Sequence, residues 1–133
     1  MVCIYCGGST SVNNSRLTSH LNEVWRRRQC KACHAIFTTY ESATLEGSIV
    51  VQYSGKDLRP FLYEQLFVDI FACCNHMSQS ATVASNLSKV IAVQIGLQAS
   101  SGVISRGQII DLCIQYLERI DSTALALYKA YHT

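Results

Sequence analysis

Cys3-Ile4-Tyr5-Cys6 and Cys30-Lys31-Ala32-Cys33 decide how this chain is read. The two Cys-x-x-Cys pairs stand 23 residues apart. Each pair turns both sulfurs toward one centre, and two such turns supply the closed tetrahedral thiolate set that structural Zn²⁺ prefers. The spacer slightly exceeds the usual run of about 15–20 residues, which suits a β-hairpin of two modest strands between the turns. A redox pair needs only one such motif, set beside a βαβ pattern that is absent here. Disulfides need an oxidising compartment. The reading is one structural zinc per chain on Cys3, Cys6, Cys30 and Cys33.

Working outward, the first 40 residues are poor in aliphatic side chains. A segment of that size needs a metal to fold. Glu23 to Gln29 is the best strand candidate, and alternation along a strand gives Arg26 and Arg28 one face and Trp25 and Arg27 the other. Phe37-Thr38-Thr39-Tyr40 has the aromatic and β-branched character of the strand that closes the ribbon.

The net charge of +2 hides an asymmetry. Through Tyr40 there are five basic residues against Glu23 alone, a formal charge of +4; from Glu41 onward six basic face eight acidic residues, giving −2. Basic charge concentrated on the metal module is the footprint of a phosphate-bearing partner. Most charge runs are solvated faces. Three consecutive arginines on a metal-fixed ribbon favour nucleic-acid contact instead, because guanidinium forks fit phosphate and guanine. Arg26 and Arg28 lead, with Arg16 and Arg27 next. Trp25 and Tyr5 leave a single-stranded partner open.

Residues 42–48 read as a linker between a ribbon over 1–41 and a second domain over 49–133. Ile49–Tyr53 and Leu58–Phe61 around Ser54-Gly55-Lys56-Asp57 give a β-hairpin. Helical spacing follows. Leu62, Leu66, Ile70 and Cys73 form one stripe, and Val83, Leu87, Val90, Ile91 and Ile95 a second. Ser78 or Ser80 is the expected cap of the second helix. Ser105-Arg106-Gly107-Gln108 fits a capping box before a third stripe of Ile109, Leu112, Cys113, Tyr116, Leu117 and Ile120. Asp121 or Ser122 starts a last helix carrying Leu125, Tyr128 and Tyr131. The fold class is α+β: a small β zinc ribbon, then a hairpin plus four helices.

Half of the residues are hydrophobic and Pro occurs once, at Pro60, which argues against extended disorder. No run approaches 18 apolar residues, so no membrane partner is expected. Ligands within the first six residues argue against a signal peptide, and seven cysteines then read as reduced thiols plus a metal site in a cytoplasmic protein. Cys73, Cys74 and Cys113 lie on apolar stripes and read as buried small hydrophobes. His20, at the hairpin tip, reads as solvent-exposed; His34 follows a ligand, but four thiolates already complete the set, and His76 and His132 show no partner pattern. No placed nucleophile, acid/base pair, Walker loop or open metal position is present, so the chain is not read as an enzyme.

This order of parts resembles the NrdR family, bacterial zinc-ribbon repressors of ribonucleotide reductase genes. The resemblance rests on Cys3-x-x-Cys6, Asn14-Ser15-Arg16 (usually Asp-Ser-Arg), Arg26-Arg27-Arg28-Gln29-Cys30 and Phe37-Thr38-Thr39-Tyr40-Glu41. Val50-Val51, Gly55, Pro60-Phe61 and Ile120-Asp121 look like the family's ATP-cone, a small nucleotide-sensing domain. The resemblance implies double-stranded promoter DNA as partner, ATP or dATP as regulatory ligand, and homo-oligomers whose size follows the nucleotide. Its nucleotide site falls on Val50, Gln52, Lys56, Arg59, Gln65 and Tyr128. Two departures stand out: Gln52 and Gln65 occupy positions where the family has lysines, and Leu125-Ala126-Leu127 replaces an aromatic–Ile/Val–Arg segment. Lys56 and Arg59 are the available substitutes. The alternative is a nucleic-acid-binding ribbon whose degenerate cone serves only assembly.

Overall fold

The computed structural model describes residues 1–133, which form two compact units, Met1–Ala43 and Thr44–Thr133. The α+β class holds: an N-terminal sheet with clustered cysteines precedes an α-rich unit.

In the first unit, β1 (Thr10–Thr18), β2 (Glu23–Cys30) and β3 (Ile36–Ser42) make an antiparallel sheet with β2 central. The expected strand over 23–29 and the closing strand at 37–40 are both present. A single 3-10 turn, Ser19–Leu21, joins β1 to β2, and Asn22 completes it in the left-handed region at φ 47°, a conformation asparagine tolerates better than most residues. The ladder contains one irregularity. Val12 opposes Arg28, yet Asn14 opposes Arg27, so Asn13 is an extra residue in β1. Such a bulge bends the strand and redirects side chains beyond it. The buried hydrophobic cluster of this unit is only Cys3, Cys30 and Phe37.

In the second unit, β4 (Val50–Gln52) and β5 (Leu58–Pro60) form the expected hairpin. β6 (Val103–Ser105) lies on the other side of β4 and runs parallel to it, making a three-stranded sheet in place of an isolated hairpin. Val51 and Ile104, paired across β4 and β6, are both buried. Gly102 opens β6 at φ +78°, and a Cβ there would stand 3.0 Å from the Ser48 carbonyl oxygen. Both constraints call for glycine.

The helices are α1 (Tyr63–Cys74), α2 (Ser80–Gln98), α3 (Arg106–Glu118) and α4 (Ser122–His132). The core is built on Ile70, Ile91, Ile95, Ile104 and Leu117, all essentially inaccessible, each contributing about 1.5–3 kcal/mol of transfer free energy. α2 buries Ala84, Leu87, Ser88, Ile91, Ala92 and Ile95; Leu87, Ile91 and Ile95 of the expected stripe are thus inside, joined by three small residues, while Val83 and Val90 are half-buried. Neither Ser78 nor Ser80 caps α2; Gln79 precedes it in the left-handed region without a side-chain cap. The α3 capping box is present in both directions, Gln108 N to Ser105 Oγ at 3.1 Å and Ser105 N to Gln108 Oε1 at 3.0 Å. Asp121 caps α4 by accepting from Ala124 N at 2.8 Å, and it also pairs with His76 at 3.0 Å. The Ala124 amide, then the His76 ring, hold the Asp121 carboxyl below its ordinary range. His76 therefore has a partner, 45 residues away, that no local pattern announces. Tyr131 was expected on the inner face of α4 and is instead exposed, leaving Ala124 and Tyr128 as that helix's buried residues.

Ser88 is fully buried and its Oγ has no hydrogen-bond partner. An unsatisfied buried hydroxyl costs about 1–3 kcal/mol, and serine is also a weaker helix former than alanine. Ser88→Ala is therefore expected to raise unfolding free energy by about 1 kcal/mol in urea titrations. Ser105→Ala, which removes the α3 cap, is expected to lower it by about the same amount.

Candidate metal centre and nucleic-acid interface

The four sulfurs of Cys3, Cys6, Cys30 and Cys33 all lie within 4.8 Å of one another. Cys3 Sγ stands 3.7 Å from Cys33 Sγ, and Cys6 Sγ 3.5 Å from Cys30 Sγ. A tetrahedron with Zn–S bonds of about 2.3 Å has edges of about 3.8 Å, so the cage has the size zinc requires. The backbone supports the sulfurs as well. Tyr5 N donates to Cys3 Sγ and Gly8 N to Cys6 Sγ, both at 3.4 Å, while Ala32 N and Cys33 N donate to Cys30 Sγ at 3.3 and 3.4 Å. Such contacts orient metal ligands and stabilise thiolate charge.

Gly8 shows how tightly the cage is drawn. A Cβ at that position would meet Ala32 Cβ at 3.0 Å, Cys30 Sγ at 3.2 Å and Cys6 Sγ at 3.3 Å. The Cys33 amide, with that of Ala32, brings the Cys30 thiol down to about 6 against the opposing effect of burial. For Cys33 the Ala35 amide pulls down, but the surrounding Cys6, Cys30 and Cys3 thiols, together with burial, push it up to about 12. A dication held by the four sulfurs would stabilise their thiolate forms. His34 is outside the cluster.

The arginines fall on two faces of the sheet. Directly paired residues in an antiparallel ladder project to the same side. The rows Arg16–Trp25–Tyr40 and Asn14–Arg27–Thr38 share one face. Ser15–Arg26–Thr39 and Arg28–Phe37 share the other. Arg26 donates to Glu41 at 2.7 Å, and Arg28 Nε donates to Thr39 Oγ1 at 3.1 Å. Arg26, Arg28, Thr39, Glu41 and Met1 are among the residues lining a shallow depression of about 360 Å³. Arg16 lies 6.0 Å from the Trp25 ring centroid, within cation–π range.

The second unit carries a cleft of about 570 Å³ between the hairpin, α1, α3 and α4. It brings together Arg59, Gln65 and Tyr128 from the expected nucleotide set. Val50, Gln52 and Lys56 lie outside its lining, with Val51 taking the place of its neighbour. The reason for Gln52 is local: its Nε2 donates to the Gly55 carbonyl at 2.9 Å and closes the hairpin loop. Gln65 donates to Asp69 at 2.8 Å. Arg59 makes two bonds to Asp57, at 3.2 and 2.9 Å, and lies 4.5 Å from the Tyr53 ring centroid; the Asp57 contact raises its pKa. Arg106 was not anticipated. It lines the same cleft with its guanidinium 5.9 Å from the Tyr53 ring. His132 stacks on Tyr128 at 4.2 Å.

Cys73, Cys74 and Cys113 are buried and free. Burial pushes the Cys73 and Cys113 thiols up to about 11, which suppresses thiolate reactivity and fits the reading as small hydrophobes.

A four-thiolate cage that pins a three-stranded basic sheet defines a zinc-ribbon protein, here followed by a separately packed α+β unit. Residues 1–41 match the family described as transcriptional repressor NrdR-like, N-terminal domain. A transcriptional repressor NrdR from Thermus thermophilus is 30% identical over 133 residues, covering 99% of this chain and 84% of the relative. One from Kosmotoga olearia is 29% identical over 133 residues, covering 99% and 83%. Another from Symbiobacterium thermophilum is 38% identical over 74 residues, covering 56% of this chain and 49% of the relative. The chain belongs to the NrdR family. Each of these relatives is named a transcriptional repressor. No helix is long and apolar enough to cross a membrane.

Chelation of the metal with excess EDTA is expected to unfold the first unit and leave the helical circular-dichroism signal of the second in place. Titrating purified protein to acid should release zinc as protons displace it from the thiolates, with one ion per chain recovered by elemental analysis.

Proposed function

We propose that this protein is a zinc-dependent, DNA-binding transcriptional repressor. The observation that carries the reading is the cysteine cage fastened to a sheet bearing Arg16, Arg26, Arg27 and Arg28, in a chain that belongs to the NrdR family. Zinc is structural: four thiolates hold the ribbon rigid, so arginines on adjacent strands meet phosphate without further ordering cost. The target class is promoter DNA of ribonucleotide reductase genes, following the family. One ribbon supplies few phosphate contacts, so binding a promoter needs several copies acting together, and the chain works as a homo-oligomer.

The second unit is the nucleotide-responsive part. Its cleft has the aromatic and guanidinium lining that ATP or dATP requires, with Arg59 and Arg106 in place of the lysines. A nucleotide shifts assembly only through unequal affinity for the alternative packings. A second reading, assembly without nucleotide, is favoured by a specific observation: no lysine lines the cleft, and Arg59 is already engaged by Asp57.

Replacing all four arginines with alanine is expected to abolish duplex binding measured by fluorescence anisotropy, while zinc content stays at one per chain. Retained binding would refute the DNA-binding reading. For the cleft, addition of ATP or dATP is expected to change the scattering mass of the oligomer, and Arg106→Ala to weaken that response. A mass indifferent to both nucleotides selects the assembly-only reading.

A further inference from the structure

The cleft of the second unit carries two cations, yet it is not a cationic cleft. Arg59 and Arg106 line it beside Tyr53, their guanidinium groups 4.5 and 5.9 Å from that ring. Asp69 lines it from α1. Asp57 adds a second carboxylate, which accepts from Arg59 through both oxygens at 3.2 and 2.9 Å. Two guanidinium groups are therefore balanced by two carboxylates, and Gln65, beside Asp69 in the lining, is neutral.

The carboxylates also make the two arginines unequal. Arg59 has its Nε and one Nη committed to Asp57. Arg106 forms no ion pair, so it alone offers an uncommitted fork. One planar guanidinium grips two oxygens of one phosphate group. A second phosphate must share Arg59 with Asp57 or approach Asp69. No cation neutralises Asp69: its one bonded partner is Gln65, which donates to a single oxygen at 2.8 Å. Burial, then the Cys113 thiol, then the Asp69 carboxylate push the pKa of the Tyr128 hydroxyl up. The negative charge of Asp69 thus reaches the aromatic wall of the cleft.

The rest of the lining suits a nucleoside. A volume of about 570 Å³ falls within the range of about 300–1,000 Å³ that small-molecule sites occupy. Tyr128 and His132, stacked at 4.2 Å, give a flat aromatic surface for a base. The second Asp69 oxygen and Gln65 Oε1 are acceptors that sugar hydroxyls satisfy. A phosphomonoester brings about −1.5 to −2 charges at neutral pH, and Arg106 receives it. Each further phosphate adds negative charge near the carboxylates, a repulsion that water screens poorly inside a cleft.

We infer that this cleft holds a nucleoside monophosphate more tightly than the corresponding triphosphate, with Arg106 as the phosphate contact and Asp57 and Asp69 as the side chains that set the order. This rests on the nucleotide-responsive reading and deepens it by ranking the ligands. ATP and dATP enter the same cleft, and a monophosphate displaces them.

The test is isothermal titration calorimetry of full-length, zinc-loaded protein with adenosine, AMP, ADP and ATP, in magnesium-free buffer and again with excess Mg²⁺. Affinity is expected to fall from AMP through ADP to ATP by about tenfold in all, with adenosine at least about tenfold weaker than AMP. Arg106→Ala should bring AMP down to the level of adenosine with the helical circular-dichroism signal unchanged, and Arg106→Lys should recover part of the loss. Asp57→Asn/Asp69→Asn is expected to put ATP ahead of AMP. That readout is a ratio, so a general loss of affinity does not imitate it. Should the double variant fail to fold, Asp57→Asn alone is expected to narrow the ratio. The ranking is overturned if ATP binds more tightly than AMP to the parent in either buffer, if adenosine matches AMP, or if the asparagine variants leave the ratio unchanged. A protein that binds none of the four removes the nucleotide-responsive reading itself, whereas ATP ahead of AMP removes only the ranking.

Discussion

The first unit is closed by the convergence of four cysteine sulfurs and not by an apolar core. Its buried core amounts to Cys3, Cys30 and Phe37, far too little apolar surface to offset the ordering of some forty residues. Two of the sulfurs come from the turn before β1, one from the last residue of β2 and one from the turn after it. The backbone amides around Cys30 favour its thiolate, and the same crowding drives Cys33 the other way. A zinc ion on the four sulfurs would balance their charge and clamp the two turns together. The register of β1 on β2, and so the facing of every arginine, is fixed at one end by that clamp.

The second unit solves the same problem by other means. Its core runs through Ile70, Ile91, Ile95, Ile104 and Leu117 and requires no metal. α2 turns the small side chains Ala84, Ser88 and Ala92, spaced one turn apart, into the core, where Ser88 Oγ has no hydrogen-bond partner. Three-residue strands are too short to stand as an isolated hairpin, and the parallel addition of β6 to β4 anchors them over the helices. Caps at Ser105 and Asp121 then start α3 and α4 at defined residues, which sets where Arg106 and Tyr128 meet the cleft.

Much of this was legible from residue types. The cysteine spacing indicated the cage, the run Glu23–Gln29 indicated β2, and Ser105 with Gln108 indicated the start of α3. These are signals written within a few residues of one another. What escaped was set by tertiary context. β6 is only Val103-Ile104-Ser105, too short to carry a period, and its pairing with β4 spans some fifty residues. The His76–Asp121 pair joins residues 45 apart. On α2 periodicity found Leu87, Ile91 and Ile95 but not the small Ala84, Ser88 and Ala92 buried beside them, because alanine and serine carry little hydrophobic signal. Tyr131 looked like a core residue by spacing, yet it is exposed while Ala124 and Tyr128 are buried. Alternation correctly separated Arg26 and Arg28 from Arg27. It was silent on Arg16, because the bulge at Asn13 has no glycine or proline to betray it.

Guanidinium groups appear on both units, and their surroundings give them different capacities. Arg16 and Arg27 are free of carboxylates, so each brings its whole charge to a polyanion. Arg59 is shared with Asp57, and a ligand phosphate can use it only by competing with that carboxylate or by binding its remaining donors. A fork with five N–H groups can serve two acceptors at once where an ammonium point charge adapts less readily. On the nucleotide-responsive reading proposed above, guanidinium forks in place of lysines would favour geometric selectivity over affinity. A weak ligand still controls assembly if its affinities for the alternative packings differ, because coupling depends on that difference and not on tightness. On that reading Gln65, which lines the cleft, bears on how much nucleotide is needed, while Gln52, tied to the Gly55 carbonyl, does not, and the packing of α1, α3 and α4 around the cleft bears on whether the nucleotide has any effect at all.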